Sequence, residues 1–174
     1  MTALLLFLFA SVDACTNLIV TPGASEDGST IYSYAADAAS LYGSLDRQRA
    51  RENIPKGTMR QIFDWDSGKY LGEIPEAPQT YDVVGNMNEF QLTIGETTFG
   101  GLASLAGPQP TARMDYGSLI WTTLTRAKNV QEALKVMTEL VKDYGYYSEG
   151  ESFTLTDPTE AWVLNYVYSN TKLD

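Results

Sequence analysis

The sequence has no histidine and a single cysteine, and these shortages exclude more chemistry than any motif supplies. Without imidazole there is no Ser-His-Asp triad, no Cys-His dyad and no histidine-based zinc site. One thiol makes no internal disulfide, no CxxC redox pair and no multi-thiolate metal site. The carboxylates remain available to a hard cation, but no DxDxDG loop arranges them for calcium. Positive charge is scarce too: 12 Lys and Arg face 22 Asp and Glu, for a formal charge of −10. Binding of phosphate backbones needs concentrated Lys and Arg, so nucleic acid is not an expected partner. The main basic run, Arg47-Gln48-Arg49-Ala50-Arg51, reads as a solvated loop. Any nucleophilic chemistry must therefore find a base other than imidazole.

What is present fits one globular unit. The 174 residues are 44% hydrophobic and 11% aromatic, which suits a folded chain rather than a disordered one. The apolar run at residues 3–10 (ALLLFLFA) is too short to span a bilayer. It leads into Ser11-Val12-Asp13-Ala14, and Val12-x-Ala14 has the small or apolar residues that a signal peptidase accepts. Residues 1–14 are therefore expected to be a removable signal or pro-segment, touching a membrane only transiently. The mature unit is expected to span 15–174 and to be secreted or periplasmic. The competing reading of the run is an N-terminal core strand.

Cleavage after Ala14 makes Cys15 the first residue, and this changes its chemistry. A free α-amine has a pKa of about 7.7–8.0 and a thiol about 8.5. The amine then serves as base for the thiol of its own residue, directly or through one water. Two other readings compete for the same side chain. A lone cysteine is often a small buried hydrophobe, and a cysteine after an apolar signal is the site of lipid attachment in bacterial lipoproteins. Those signals usually carry Leu where this chain has Val12.

Along the chain the pattern predicts strands, then two helices, then strands. Residues 17–20 and 29–35 read as a hairpin around Asp27-Gly28, which returns Asp37 to the start of the chain. Residues 41–78 read as a loop-rich excursion with a short strand near 58–63 and a turn at Ser67-Gly68, punctuated by Pro75 and Pro78. Residues 81–87 and 90–97 read as strands joined through Asn88-Glu89, the second broken by Gly100-Gly101. Helical spacing predicts a helix over 116–127 capped by Asp115. Asn129-x-x-Glu132 opens a second helix, which carries Val130, Ala133, Leu134, Met137, Leu140 and Val141 on one face and stops at Gly145. Residues 152–156 and 161–168 close with a hairpin around Asp157-Pro158. This order predicts an α+β fold with one antiparallel sheet and two helices on one face.

Several short motifs occur together and in order. They are Ala14-Cys15-Thr16-Asn17, Asp27-Gly28-Ser29, Tyr34-Ala35-Ala36-Asp37, Val84-Gly85-Asn86-Met87-Asn88-Glu89, Gly95-Glu96-Thr97-Thr98-Phe99-Gly100-Gly101, and the stretch from Tyr144 to Ser152. Together they resemble the cysteine-nucleophile dipeptidases of the N-terminal-nucleophile (Ntn) hydrolase superfamily. The resemblance implies an αββα sandwich, of which this chain is the N-terminal portion. It implies hydrolysis of dipeptides with no metal or organic cofactor, and it sets Cys15 on the family's nucleophile. By the same resemblance Asp37 orients or charge-stabilises the α-ammonium, while Asn86 and Thr98 are the candidate oxyanion donors. Asn88-Glu89 reads as turn chemistry, and the tyrosine-rich stretch 146–151 as loop packing. The alternatives are an Ntn amidohydrolase acting on other acyl-amino acid amides and a non-enzymatic, lipid-anchored lipoprotein.

Overall fold

Alternating half-buried and exposed residues at Thr16–Val20 (β1) and Ile31–Ala35 (β2) give an antiparallel hairpin, in register from Thr16↔Ala35 to Val20↔Ile31. Its loop turns where expected, with Gly28 at φ +76° and the Ser29 N–H bonded to Asp27 Oδ1. The computed structural model describes residues 15–37, 43–99 and 111–166. The expected signal segment, Gly100-Gly101 and residues 167–168 lie outside them.

The largest sheet has six antiparallel strands, in the order β10-β9-β8-β7-β6-β3. These are Arg47–Gln48 (β3), Val83–Val84 (β6), Met87–Asn88 (β7), Thr93–Phe99 (β8), Gly150–Thr156 (β9) and Ala161–Tyr166 (β10). A separate hairpin, Met59–Phe63 (β4) with Tyr70–Pro75 (β5), and the β1–β2 hairpin complete the strands. The helices are Tyr116–Leu124 (α1) and Val130–Tyr144 (α2).

The α+β character and the antiparallel pairing hold, while the expectation of one sheet gives way to three sheets among the described residues. Three local readings also change. The predicted strand over 81–87 is two short strands folded on each other, because Gly85 at φ +54° and Asn86 reverse the chain. The excursion over 41–78 contains β5, which was read as loop; Pro75 ends this strand opposite Met59 rather than breaking it. Helix α1 stops at Leu124, short of Ala127, where Thr125 bonds back to the Thr122 carbonyl and a tight turn follows. The basic run contributes β3, and Arg47 forms an exposed ion pair with Asp82.

Both helix caps form as the sequence implies. The Ser118 N–H donates to Asp115, and the Glu132 N–H donates to Asn129 Oδ1 at 2.9 Å. Glu132 reaches back to the Lys128 N–H, one residue before the usual capping-box partner. Val130, Ala133, Met137 and Leu140 turn inward and pack with Leu119, Leu124, Ile94, Phe153 and Leu155 in one core. Asn88 is buried in this layer. Its amide donates to the Leu124 and Ala127 carbonyls and accepts from the Phe90 and Leu92 N–H groups, so it ties the 88–92 turn to the end of α1. Among the described residues no helix is long and apolar enough to cross a membrane.

Candidate active site

Strand β7 pairs with β8 only at Met87↔Thr93, so the rest of that edge has no strand partner among the described residues. Backbone carbonyls left bare in this way need other donors. The Asn86 side-chain amide donates to the Ile94 carbonyl at 2.7 Å, and the Asn17 amide donates to the Glu96 carbonyl at 2.8 Å. Asn17 also donates to Thr97 Oγ1 and accepts from the Tyr32 hydroxyl. Gly95 makes this approach possible, because a Cβ there would collide with Tyr32. These contacts fasten the β1–β2 hairpin to β8, and Cys15 stands immediately before the hairpin's first residue.

The hairpin brings Asp37 back as its register requires. Thr16 Oγ1 donates to Asp37 Oδ2 at 3.0 Å, and the Asp37 backbone N–H faces the Cys15 thiol. The thiol is half-buried and donates to Glu96 Oε1 at 3.4 Å. The Tyr34 hydroxyl donates to the same oxygen. Burial first, then the charge and hydrogen bond of Glu96, push the thiol pKa above its ordinary value; Tyr34 and the Asp37 N–H pull the other way.

Behind Glu96 lies a second carboxyl group. Thr98 pairs with Glu151 and Glu96 with Phe153, so Glu96 and Glu151 are diagonal neighbours on β8 and β9. Glu96 is 3% exposed and Glu151 0%. Burial, the hydrogen bond to Glu96 and its charge push the Glu151 pKa up to about 9. Two such carboxyl groups cannot both ionise cheaply, and burial beside Glu96 favours the protonated form of Glu151. Glu96 Oε2 has no hydrogen-bond partner among the described residues.

Cys15, Asp37, Asn86 and Thr98 all line one cleft of about 720 Å³. The opposite wall is aromatic. Trp65 stacks on Trp121 with ring centroids 6.0 Å apart, and its indole lies against Gly117, where a Cβ would come within 2.6 Å of it. Asp115 fixes this wall by accepting from the Trp65 N–H at 3.0 Å while it caps α1. Tyr116 donates to Asp66 at 2.8 Å, and Asp46 and Asp66 add carboxylates to the lining. No lysine or arginine among the described residues lines the cleft.

The structure thus brings the four expected residues together, but it does not give them equal freedom. The Thr98 hydroxyl is turned to the Glu151 carboxyl group at 3.1 and 3.2 Å, so it is not a free donor to the cleft as expected of an oxyanion residue. Asn86 uses one amide N–H on Ile94 and keeps the other. Tyr34, Glu96 and Glu151 stand in the motifs without an assigned role, and the two tryptophans are not singled out; Gly150 and Glu151, expected as loop packing, open β9. A signal for the glutamates exists: each occupies the inward parity of its strand, Glu96 after Ile94 and Glu151 before Phe153 and Leu155. Asn88 ends β7 and supplies the expected turn chemistry by accepting from the Phe90 and Leu92 N–H groups.

Among the described residues no group of three or more Cys, Asp or Glu is arranged to hold a metal ion. The sequence model of peptidase family C69 matches residues 14–170. None of the curated proteins matches the chain.

Proposed function

The chain belongs to peptidase family C69, and from that premise we propose that it is a dipeptidase whose nucleophile is Cys15 as the first residue of the mature protein. Membership makes it a peptide hydrolase, and peptides are its substrates. The single observation that carries the finer reading is the Cys15 thiol at the rim of an aromatic-walled cleft, with Asp37 and Glu96 against it.

The reaction begins when the α-amine takes the thiol proton and Sγ attacks the peptide carbonyl. A tetrahedral intermediate forms, and the second amide N–H of Asn86 is the available side-chain donor for its oxyanion. The α-ammonium then protonates the leaving amine, the C–N bond breaks and a thioester remains. Water attacks that thioester after giving a proton to the α-amine; the acid leaves and the thiol is restored. Asp37 holds the ammonium in place, while Thr98 holds Glu151. The reading carries with it removal of residues 1–14, export from the cytoplasm and an Ntn αββα sandwich. The α+β sheets and paired helices are compatible with that sandwich.

N-terminal sequencing of the mature protein, with a dipeptide panel run beside N-acyl amino acids, tests this. Cys15 at position one and dipeptide hydrolysis are expected. Any other first residue removes the mechanism, and hydrolysis of N-acyl amino acids alone removes the dipeptidase assignment.

A further inference from the structure

The mechanism above uses the Cys15 amine, Asp37 and Asn86, but it leaves unexplained why a buried carboxyl pair lies against the nucleophile. A carboxylate beside a thiol opposes its ionisation, so Glu96 alone hinders the attacking group. The pair makes chemical sense if a cation joins it. In the uncleaved chain Cys15 is joined by a peptide bond and carries no charge of its own. Once it is the first residue, its α-ammonium lies within about 3–4 Å of its own sulfur, because only two carbons separate them. Glu96 Oε1 is 3.4 Å from that sulfur.

We propose that Glu96, backed by Glu151, is a positioning residue that holds the Cys15 thiol before cleavage and serves as counter-charge to its α-ammonium afterwards. The inference rests on the reading of Cys15 as an N-terminal nucleophile. The groups that face the site agree with this assignment. They are Tyr32 and Tyr34 from β2, Asp37 beyond it, Glu151 from β9, Tyr116 from α1 and Tyr146 after α2. None is basic, and burial keeps the tyrosines protonated at neutral pH. Among the described residues no other cation faces the pair, and the ammonium supplies one. With the protonated form of Glu151 favoured, the pair presents one negative charge rather than two.

The test separates charge from packing. In the full 1–174 chain, the rate of Cys15 alkylation by iodoacetamide is followed against pH by intact mass, which also reports the N-terminus. Cys15 is the sole cysteine, so every adduct is assigned. Glu96→Gln removes the charge and is expected to lower the alkylation midpoint by about one pH unit or more. Glu151→Gln keeps the pair's charge and is expected to leave the midpoint within a few tenths of a unit. A merely structural role moves both midpoints or neither, and either result overturns the proposal. In protein beginning at Cys15, Glu96→Gln is expected to shift the alkaline-rising limb of kcat/KM to lower pH, because the ammonium loses its counter-charge. An unmoved limb in an enzyme that hydrolyses dipeptides overturns the proposal and leaves the dipeptidase reading intact. If the wild type hydrolyses no dipeptide, that reading fails, and the alkylation profiles still decide whether Glu96 holds the thiol.

Discussion

Cys15 and Glu96 are 81 positions apart in the chain, yet the cysteine sulfur donates to a glutamate oxygen 3.4 Å away. Two independent devices produce that meeting: the β1–β2 hairpin, and the Asn17 side chain that pins it to β8.

If Cys15 is the nucleophile, Cys15→Ala removes dipeptide hydrolysis. Cys15→Ser leaves a small residue of activity, because the hydroxyl is a far weaker nucleophile at neutral pH. Steady-state assays on variants with unchanged circular dichroism check this. An active alanine variant refutes the assignment.

Asp37→Asn is expected to lower kcat by about 100-fold with little change in KM. The amide still accepts from Thr16, so the hairpin closes, but the charge that orients the ammonium is lost. A variant with wild-type kcat gives Asp37 a purely structural part.

The cleft is lined by Asp37, Asp46, Asp66 and Glu96, with no lysine or arginine among the described residues. A dipeptide with an acidic side chain meets like charge there, whereas a basic side chain meets opposite charge and aromatic faces. Ala-Lys is expected to exceed Ala-Glu in kcat/KM by about 10-fold, and the ratio should shrink as salt rises. Equal values, or preference for the acidic peptide, contradict this.

Glu151 makes stability fall as pH rises. Its carboxyl group titrates at 4.5 when unshifted and at about 9 in the fold. Between those values the folded state retains a proton that the unfolded state has lost. The contribution is complete below the lower value and is lost as pH climbs through the upper one. Asp115, also raised by burial, acts in the same direction. Glu151→Gln carries no such proton, so its Tm should gain on the wild type as pH goes from 5 to 9. Parallel Tm curves for the two proteins show that the buried pair does not titrate this way.

Much of this fold was legible because its signals are local. Asp115 and Asn129 cap helices by contacts three residues ahead, and the inward stripe of α2 repeats within one element. The return of Asp37 needed only a hairpin. What escaped depends on contacts between elements distant in sequence. Glu96 meets Glu151 only because β8 and β9 pair in one register, with both helices between them in the chain. Trp65 joins the cleft wall through Asp115, 50 residues away. The role expected of Thr98 changed for the same reason, since the partner that claims its hydroxyl lies on another strand. The split of 81–87 into two strands turned on the positive φ of Gly85.

The described contacts that set Cys15 in place all come from residues after it: Thr16 on Asp37, and Asn17 on Glu96, Thr97 and Tyr32. Severing the peptide bond before residue 15 subtracts none of these contacts, so a new chain terminus can arise there while the sulfur keeps its address. A cut there would alter the charge at this point while these hydrogen bonds keep their partners.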